Sequence, residues 1–194
     1  PFAFYSAMNS LGTHDTPRIL TLLGTGGAGA DASKDAKAVH HLTPEQRSLG
    51  LARLRLGFLV LYAFPGSPTV YYGDEAGMEG FEDPFNRRTY IWGWEDTALR
   101  DYVAALGGLR RSQLPLRRGD IRYVAVAGGL LAFTRSEGGT TLLIAANNGT
   151  APGTFSLPAQ RLTLLLGQAG FQPGRDGAPA TITLPPMGGF VAEL

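Results

Sequence analysis

Three short stretches hold the residue types that could do chemistry. In Asn9-Ser10-Leu11-Gly12-Thr13-His14-Asp15-Thr16-Pro17-Arg18, an apolar run ends and a His and a carboxylate follow side by side. At the exit of a strand such a pair can hydrogen-bond the vicinal hydroxyls of a sugar, and the carboxylate can stabilise positive charge developing at an anomeric carbon. Taken alone, the pair reads more often as a turn or a helix cap. In Gly66-Ser67-Pro68-Thr69-Val70-Tyr71-Tyr72-Gly73-Asp74-Glu75-Ala76-Gly77, two tyrosines precede two acids. Aromatic rings pack on the C–H faces of sugars, and the same residues serve equally as core and caps. The third stretch is Asp83-Pro84-Phe85-Asn86-Arg87-Arg88, with Trp92 and Trp94 beyond it. Asp83 and Arg87 can grip hydroxyls together or pair with each other, a contact worth ~0–1 kcal/mol when exposed.

The elements that must position these residues can be read from patterning. Thr43-Pro44-Glu45-Gln46 has the form of a capping box with proline at the first helical position. It predicts a helix to Ala63, with Leu49, Ala52 and Leu56 inward, Arg47, Arg53 and Arg55 outward, and Phe58–Tyr62 apolar on all sides. Pro65-Gly66-Ser67-Pro68 ends it, and Thr69–Tyr72 reads as a buried strand. Together these make one step of a parallel α/β fold, with Gly73-Asp74-Glu75 at the strand's C-terminal end. Ile19–Leu23 is a turn of helix, and Gly24–Lys37 reads as a mobile surface loop. Asp96–Arg111 is a second helix, with Leu99, Tyr102, Val103, Leu106 and Leu109 on one face. After Pro115 short strand-like runs alternate with Gly128-Gly129, Gly138-Gly139 and Asn147-Asn148-Gly149, the texture of an antiparallel sandwich. The domain boundary is expected between Arg111 and Gly119.

Composition narrows the function classes. The chain is 44% hydrophobic and 17% charged, as expected of a folded protein with a real core. A net charge of +1 gives no support for nucleic-acid binding. The absence of cysteine excludes disulfides, thiol catalysis and Cys-based metal sites. The longest apolar stretch, Leu56–Phe64, is too short to span a bilayer, so no membrane partner is expected. The opening Pro1-Phe2-Ala3-Phe4-Tyr5 has neither an initiator Met nor a signal-peptide pattern. It reads as part of a longer protein, expected in the cytoplasm, although the lack of cysteine fits a secreted enzyme as well.

The order and spacing of the three stretches, from Asn9 to Trp94, resemble the α-amylase superfamily of glycoside hydrolases. The nearest likeness is to the neopullulanase, cyclomaltodextrinase and maltogenic amylase group. That resemblance implies an α/β plus all-β chain: the C-terminal part of a (β/α)8 TIM barrel over residues 1–113, in the region of strands seven and eight, then an antiparallel β-sandwich (domain C) over 114–194. It implies a retaining parent glycosidase acting on α-1,4 links, and on α-1,6 links in some members, in maltooligosaccharides, cyclodextrins or pullulan. Asp15 would be the transition-state stabiliser and His14 would bind the same sugar. Asp83 and Arg87 would contact a glucose further along the donor side, with Tyr72, Asp74 and Glu75 as framework.

The family's nucleophile Asp and acid/base Glu would lie upstream of position 1. A retaining glycosidase needs two carboxyls about 5–5.5 Å apart, so this chain alone is expected to be inactive. No cofactor is implied. Calcium serves some members, but no complete oxygen cage is visible here. The implied partner is an α-glucan oligosaccharide. Two strands cut from a barrel would leave edges and the apolar half of the Glu45–Ala63 helix uncovered. A second copy, or the missing N-terminal part of the same protein, is expected to cover them. Two alternatives remain. A glucanotransferase or trehalose synthase of the same superfamily would differ in its products. A non-catalytic carbohydrate-binding or scaffold relative would lack the upstream carboxylates.

Overall fold

The computed structural model describes residues 2–194, and Pro1, with which the sequence opens, lies outside the described residues. The chain divides into two compact units. One holds Met8–Leu61 and Ser67–Leu106; the other holds Tyr62–Gly66 and Gly107–Leu194, together with the N-terminal segment up to Ala7.

The first unit is built on a parallel pair of short strands, β1 (Met8–Ser10) and β2 (Ser67–Thr69), in register Met8↔Ser67, Asn9↔Pro68 and Ser10↔Thr69. A short N-terminal helix, α1 (Phe2–Tyr5), precedes β1. Parallel strands need a crossover, supplied here by α2 (Ile19–Thr25), α3 (Lys34–Ala38) and α4 (Pro44–Ala63). The α4 start is the predicted capping box. Thr43 Oγ1 accepts from Gln46 N at 3.2 Å, and Gln46 Oε1 accepts from Thr43 N at 3.1 Å, which satisfies two otherwise orphaned donors.

Several expectations need correction. Leu49 does not face inward: it is 37% exposed, while Leu54 is fully buried. The inward surface at that turn is Gly50, where an added Cβ would lie 2.9 Å from Leu20 Cδ1 and 3.0 Å from Leu20 O. Close approach of α2 and α4 therefore uses a missing side chain, which hydrophobic periodicity cannot signal. The apolar half of α4 is not left bare, since Phe58, Leu59 and Leu61 are at most 5% exposed. The segment read as the strand Thr69–Tyr72 pairs only through Thr69, after which Tyr71 and Tyr72 enter a turn. The Gly24–Lys37 loop carries the start of α3, capped by Ser33 Oγ, which accepts from Ala36 N at 3.3 Å. Lys37 is buried there and pairs with Glu82 at 2.5 Å.

Beyond β2 the chain is irregular apart from a 3-10 turn at Phe85–Arg87, until α5 (Thr97–Ser112) begins. Asp96 Oδ1 caps α5 by accepting from Leu99 N at 2.9 Å, and Leu99, Val103 and Leu106 form its buried stripe.

The second unit is an antiparallel β-sandwich. A short helix not anticipated from the sequence, α6 (Leu114–Arg118), leads into β3 (Asp120–Ala127), β4 (Leu130–Glu137), β5 (Thr140–Asn147), β6 (Gly153–Leu157), β7 (Thr163–Gly167), β8 (Gly170–Gln172), β9 (Ala180–Leu184) and β10 (Gly189–Glu193). The five-stranded sheet runs β3-β4-β5-β10-β7 and the three-stranded sheet β6-β9-β8. Gly128-Gly129 and Gly138-Gly139 form the two-residue turns of the β3–β4 and β4–β5 hairpins, with positive φ at all four residues. Tight hairpins of this kind require that backbone geometry, which glycine adopts without strain. The core joins Leu143, Ala145, Phe190 and Ala192 of one sheet to Phe155, Leu157, Ile182 and Leu184 of the other. Alternation places these side chains inward; β9 shows it in full, with Ala180, Ile182 and Leu184 buried.

The outer face of the large sheet is also covered. Leu142, Ile144 and Ala146 of β5 are at most 7% exposed, and α6 packs against β4 and β5. On this face Arg135 of β4 is fully buried; its Nε donates to Gly119 O at 3.0 Å and its Nη1 to Ala63 O. Arg110 donates to Tyr62 O, Phe64 O and Gly66 O. The two guanidiniums thus satisfy carbonyls at and just after the end of α4, where the helix dipole favours positive charge. Burial pushes the Arg135 pKa down to about 10, and neighbouring Arg110 adds to the effect.

Candidate functional site

The loop after β1 is a compact turn. Thr16 Oγ1 accepts from Thr13 N at 3.0 Å, and Thr13 Oγ1 accepts from Asp15 N at 3.2 Å. The turn holds His14 and Asp15 outward, with side chains 60% and 73% exposed. His14 Nε2 lies 3.3 Å from Asp15 Oδ1. From the region after β2, Arg87 reaches the same place. Its Nε is 2.7 Å from Asp83 Oδ1 and its Nη2 is 3.7 Å from Asp15 Oδ1. All four residues nominated from the sequence, His14, Asp15, Asp83 and Arg87, therefore stand in one solvent-open cluster. Asp83 and Arg87 pair with each other, and the Arg87 fork extends from that pair toward Asp15. The Asp83–Pro84 peptide is cis.

Beneath the cluster lies a buried layer that the sequence did not reveal. Arg18 is 1% exposed, with its guanidinium carbon 4.4 Å from the Tyr71 ring centre and 4.6 Å from that of Tyr72. Its Nη1 donates to Asp74 Oδ1 at 3.1 Å and to Tyr72 O. Asp74 turns inward to this partner instead of capping the next segment. Burial raises the Asp74 pKa to about 6, outweighing the opposing pull of Arg18. Gly12 makes room for the pair: an added Cβ there would sit 2.7 Å from Asp74 Oδ2. Tyr72 OH donates to Arg88 O at 2.7 Å, tying the end of the β2 segment to the arginine-bearing loop.

Asn86 carries no recognisable chemistry in the sequence. It is fully buried, and its Nδ2 donates to His14 O and to Thr16 O, each at 2.8 Å. Its partners are 72 and 70 residues away along the chain, a separation at which no local spacing signal exists.

A separate cleft of 430 Å³ is lined by His41, Arg47, Glu79, Arg88, Ile91 and Trp94, among others. Its charges largely satisfy one another, with Arg47 2.5 Å from Glu79 and 3.7 Å from Asp96. None of the four nominated residues lines it. Trp92 and Trp94 are 79% and 85% exposed, and the Trp92 ring lies tilted at 52° to that of Tyr90, with centres 4.6 Å apart. Among the described residues no group of three metal-ligating side chains occurs, and no helix is long and apolar enough to cross a membrane.

Comparison with known proteins points to one class, the glycoside hydrolases. Residues 124–191 match the family model of the maltogenic amylase C-terminal domain. The amylopullulanase of Thermoanaerobacter thermohydrosulfuricus is 40% identical over 132 residues, 68% of this chain and 8% of that protein. The cyclomaltodextrinase of Geobacillus thermopakistaniensis is 31% identical over 192 residues, 94% of this chain and 28% of that protein. Among solved structures, an Anoxybacillus α-amylase superposes with a TM-score of 0.80 at 29% identity, covering 98% of this chain and 38% of that one. The chain belongs to the α-amylase superfamily, in its neopullulanase, cyclomaltodextrinase and maltogenic amylase-like group. It spans only 8% and 28% of the length of these two relatives.

Proposed function

We propose that this chain is the C-terminal part of a retaining α-glucan glycosidase. Residues 1–113 supply the region of the seventh and eighth strands of a (β/α)8 barrel, and 114–194 its domain C. The parent cleaves α-1,4 glucosidic bonds, with α-1,6 as a second linkage, in maltooligosaccharides, cyclodextrins or pullulan. The parallel β1–β2 pair and its helical crossover support the barrel assignment.

Asp15 acts as the carboxylate that hydrogen-bonds the sugar hydroxyls and stabilises the oxocarbenium-like transition state, and His14 binds the same ring. Asp83 and Arg87 bind the next glucose on the donor side. The observation that carries this reading is that the four side chains, from loops far apart in sequence that follow the two parallel strands, form one chain of contacts, His14 to Asp15 to Arg87 to Asp83, at 3.3, 3.7 and 2.7 Å. In the free protein Asp15 lies beside His14 and within ion-pair range of Arg87, and Asp83 pairs with Arg87. A sugar's vicinal hydroxyls can replace these exposed contacts at little cost, because solvent already competes for them. The nucleophile and the proton donor come from upstream sequence. The chain alone binds and positions but does not cleave.

The test is expression of the full coding sequence, followed by assay on maltooligosaccharides, cyclodextrins and pullulan with product analysis. The expected result is anomer-retaining hydrolysis that Asp15→Asn lowers by roughly 10²–10³-fold, the usual loss when one group stabilising the transition state is removed. Products dominated by transferred glucosyl units would identify a glucanotransferase. Undiminished turnover by Asp15→Asn would remove Asp15 from the mechanism.

A further inference from the structure

We propose that Asn86 is the positioning residue of the sugar-gripping cluster: its side-chain amide clamps the backbone on both sides of Asp15 and so fixes that carboxylate, with His14, against Arg87. The proposal rests on the reading of the cluster given above and assigns a role to a residue outside it.

Asn86 Nδ2 donates to the carbonyls of His14 and Thr16, each at 2.8 Å. These belong to the residues immediately before and after Asp15. A group held between two carbonyl oxygens must be a donor, so the amide orientation follows from its surroundings. Both N–H bonds are consumed, while the buried Oδ1 has no protein partner. The position thus uses the one feature of asparagine that aspartate lacks. Asn86 also precedes Arg87 in the same 3-10 turn, Phe85–Arg87, and the Arg87 side chain contacts Asp83 and Asp15. One residue therefore couples the two loops whose side chains must meet. The neighbouring ties, Arg18 N to Gly80 O at 2.9 Å and Gly80 N to Thr21 Oγ1 at 2.9 Å, join the same two segments away from Asp15. They keep the segments associated when the clamp is cut, but they do not set the Asp15 carboxylate.

Displacement of a catalytic group by about 1 Å can cost on the order of 10²-fold in rate. In the full-length protein, Asn86→Asp keeps the side-chain volume and turns an acceptor toward both carbonyls. The expected result is a fall in kcat/KM of roughly ten- to a hundredfold, mostly in kcat, with a folded protein by circular dichroism. Asn86→Ser, which keeps one hydroxyl donor, recovers part of the loss and takes the place of Asn86→Asp if that variant is insoluble.

A double-mutant cycle with His14→Ala separates positioning from general stability. If Asn86 acts through this loop, the two losses are non-additive; a merely structural role gives additive losses. A kcat/KM within twofold of wild type for both Asn86 variants, or strict additivity with His14→Ala, would overturn the proposal. Asp15→Ala is run alongside. If it too leaves activity intact, the fault lies with the reading of the whole cluster, and the role of Asn86 falls with it.

Discussion

At the residue scale the candidate site is two layers with opposite demands. His14, Asp15, Asp83 and Arg87 are exposed enough for solvent to compete for each contact. Arg18, Asp74 and Asn86 below them are buried, with at most 2% of each exposed. The lower layer titrates against its surroundings. The folded-state pKa of Asp74 is raised from 3.8 to about 6, so between those values the native state holds more proton than the unfolded one. Stability from this group is therefore greatest at low pH and falls as pH rises through that window. Denaturant melts of wild type and Asp74→Asn across pH 3.5–7 should show this slope in the first and its loss in the second. Gly12→Ala forces a Cβ to within 2.7 Å of Asp74 Oδ2. We expect it to cost about 1–3 kcal/mol as over-packing, read as a lowered melting temperature, and a variant as stable as wild type would show that Asp74 moves freely.

Residue types announced the upper layer and hid the lower one. A His beside an Asp, and an Asp four before an Arg, are local patterns with recognisable chemistry. Arg18 and Asn86 take their meaning from partners 54 to 72 residues away, and a buried asparagine between Phe85 and Arg87 looks the same in sequence as one in any loop.

At the element scale, legibility followed the range of the interaction. The start of α4 was readable because a capping box closes within four residues, and Thr43→Ala should cost about 1 kcal/mol in the chain's unfolding free energy. The hairpin turns were readable because Gly-Gly pairs mark positive φ. The inward face of α4 was misjudged at Leu49, since the contact with α2 depends on Gly50, a residue that contributes nothing to hydrophobic periodicity. Gly50→Ala tests that contact: a 3.0 Å approach to the Leu20 carbonyl oxygen must push the helices apart. A loss of ~1–3 kcal/mol is expected, against the small gain that alanine gives in an unhindered helix. The buried strand expected at Thr69–Tyr72 falls two residues earlier, at Ser67–Thr69, and Thr69–Tyr72 is only partly buried, because β-branched and aromatic composition marks neither the pairing register nor the packing of a turn. Tyr71 is half-buried and Tyr72 is 41% exposed, each with one ring face against the Arg18 guanidinium.

At the scale of the molecule, the sequence separates an α/β unit that carries the candidate site from a sandwich that carries none of the nominated residues. The sandwich depends on its own core. Ile182→Ala, in the middle strand of the small sheet and fully buried, should lose about 2–5 kcal/mol. Measured in the full-length protein, that change is expected to lower the melting temperature with little effect on glucan binding, because the sandwich carries none of the nominated residues.

The strand β5 sits between β4 and β10, with both of its faces buried. Its amides are therefore shielded from solvent along the edges and from above and below at once. Placed in heavy water, the protein should give up the hydrogens of Leu142–Ala146 last, with protection approaching that of global unfolding. The amides of β8, a three-residue edge strand, should be replaced early.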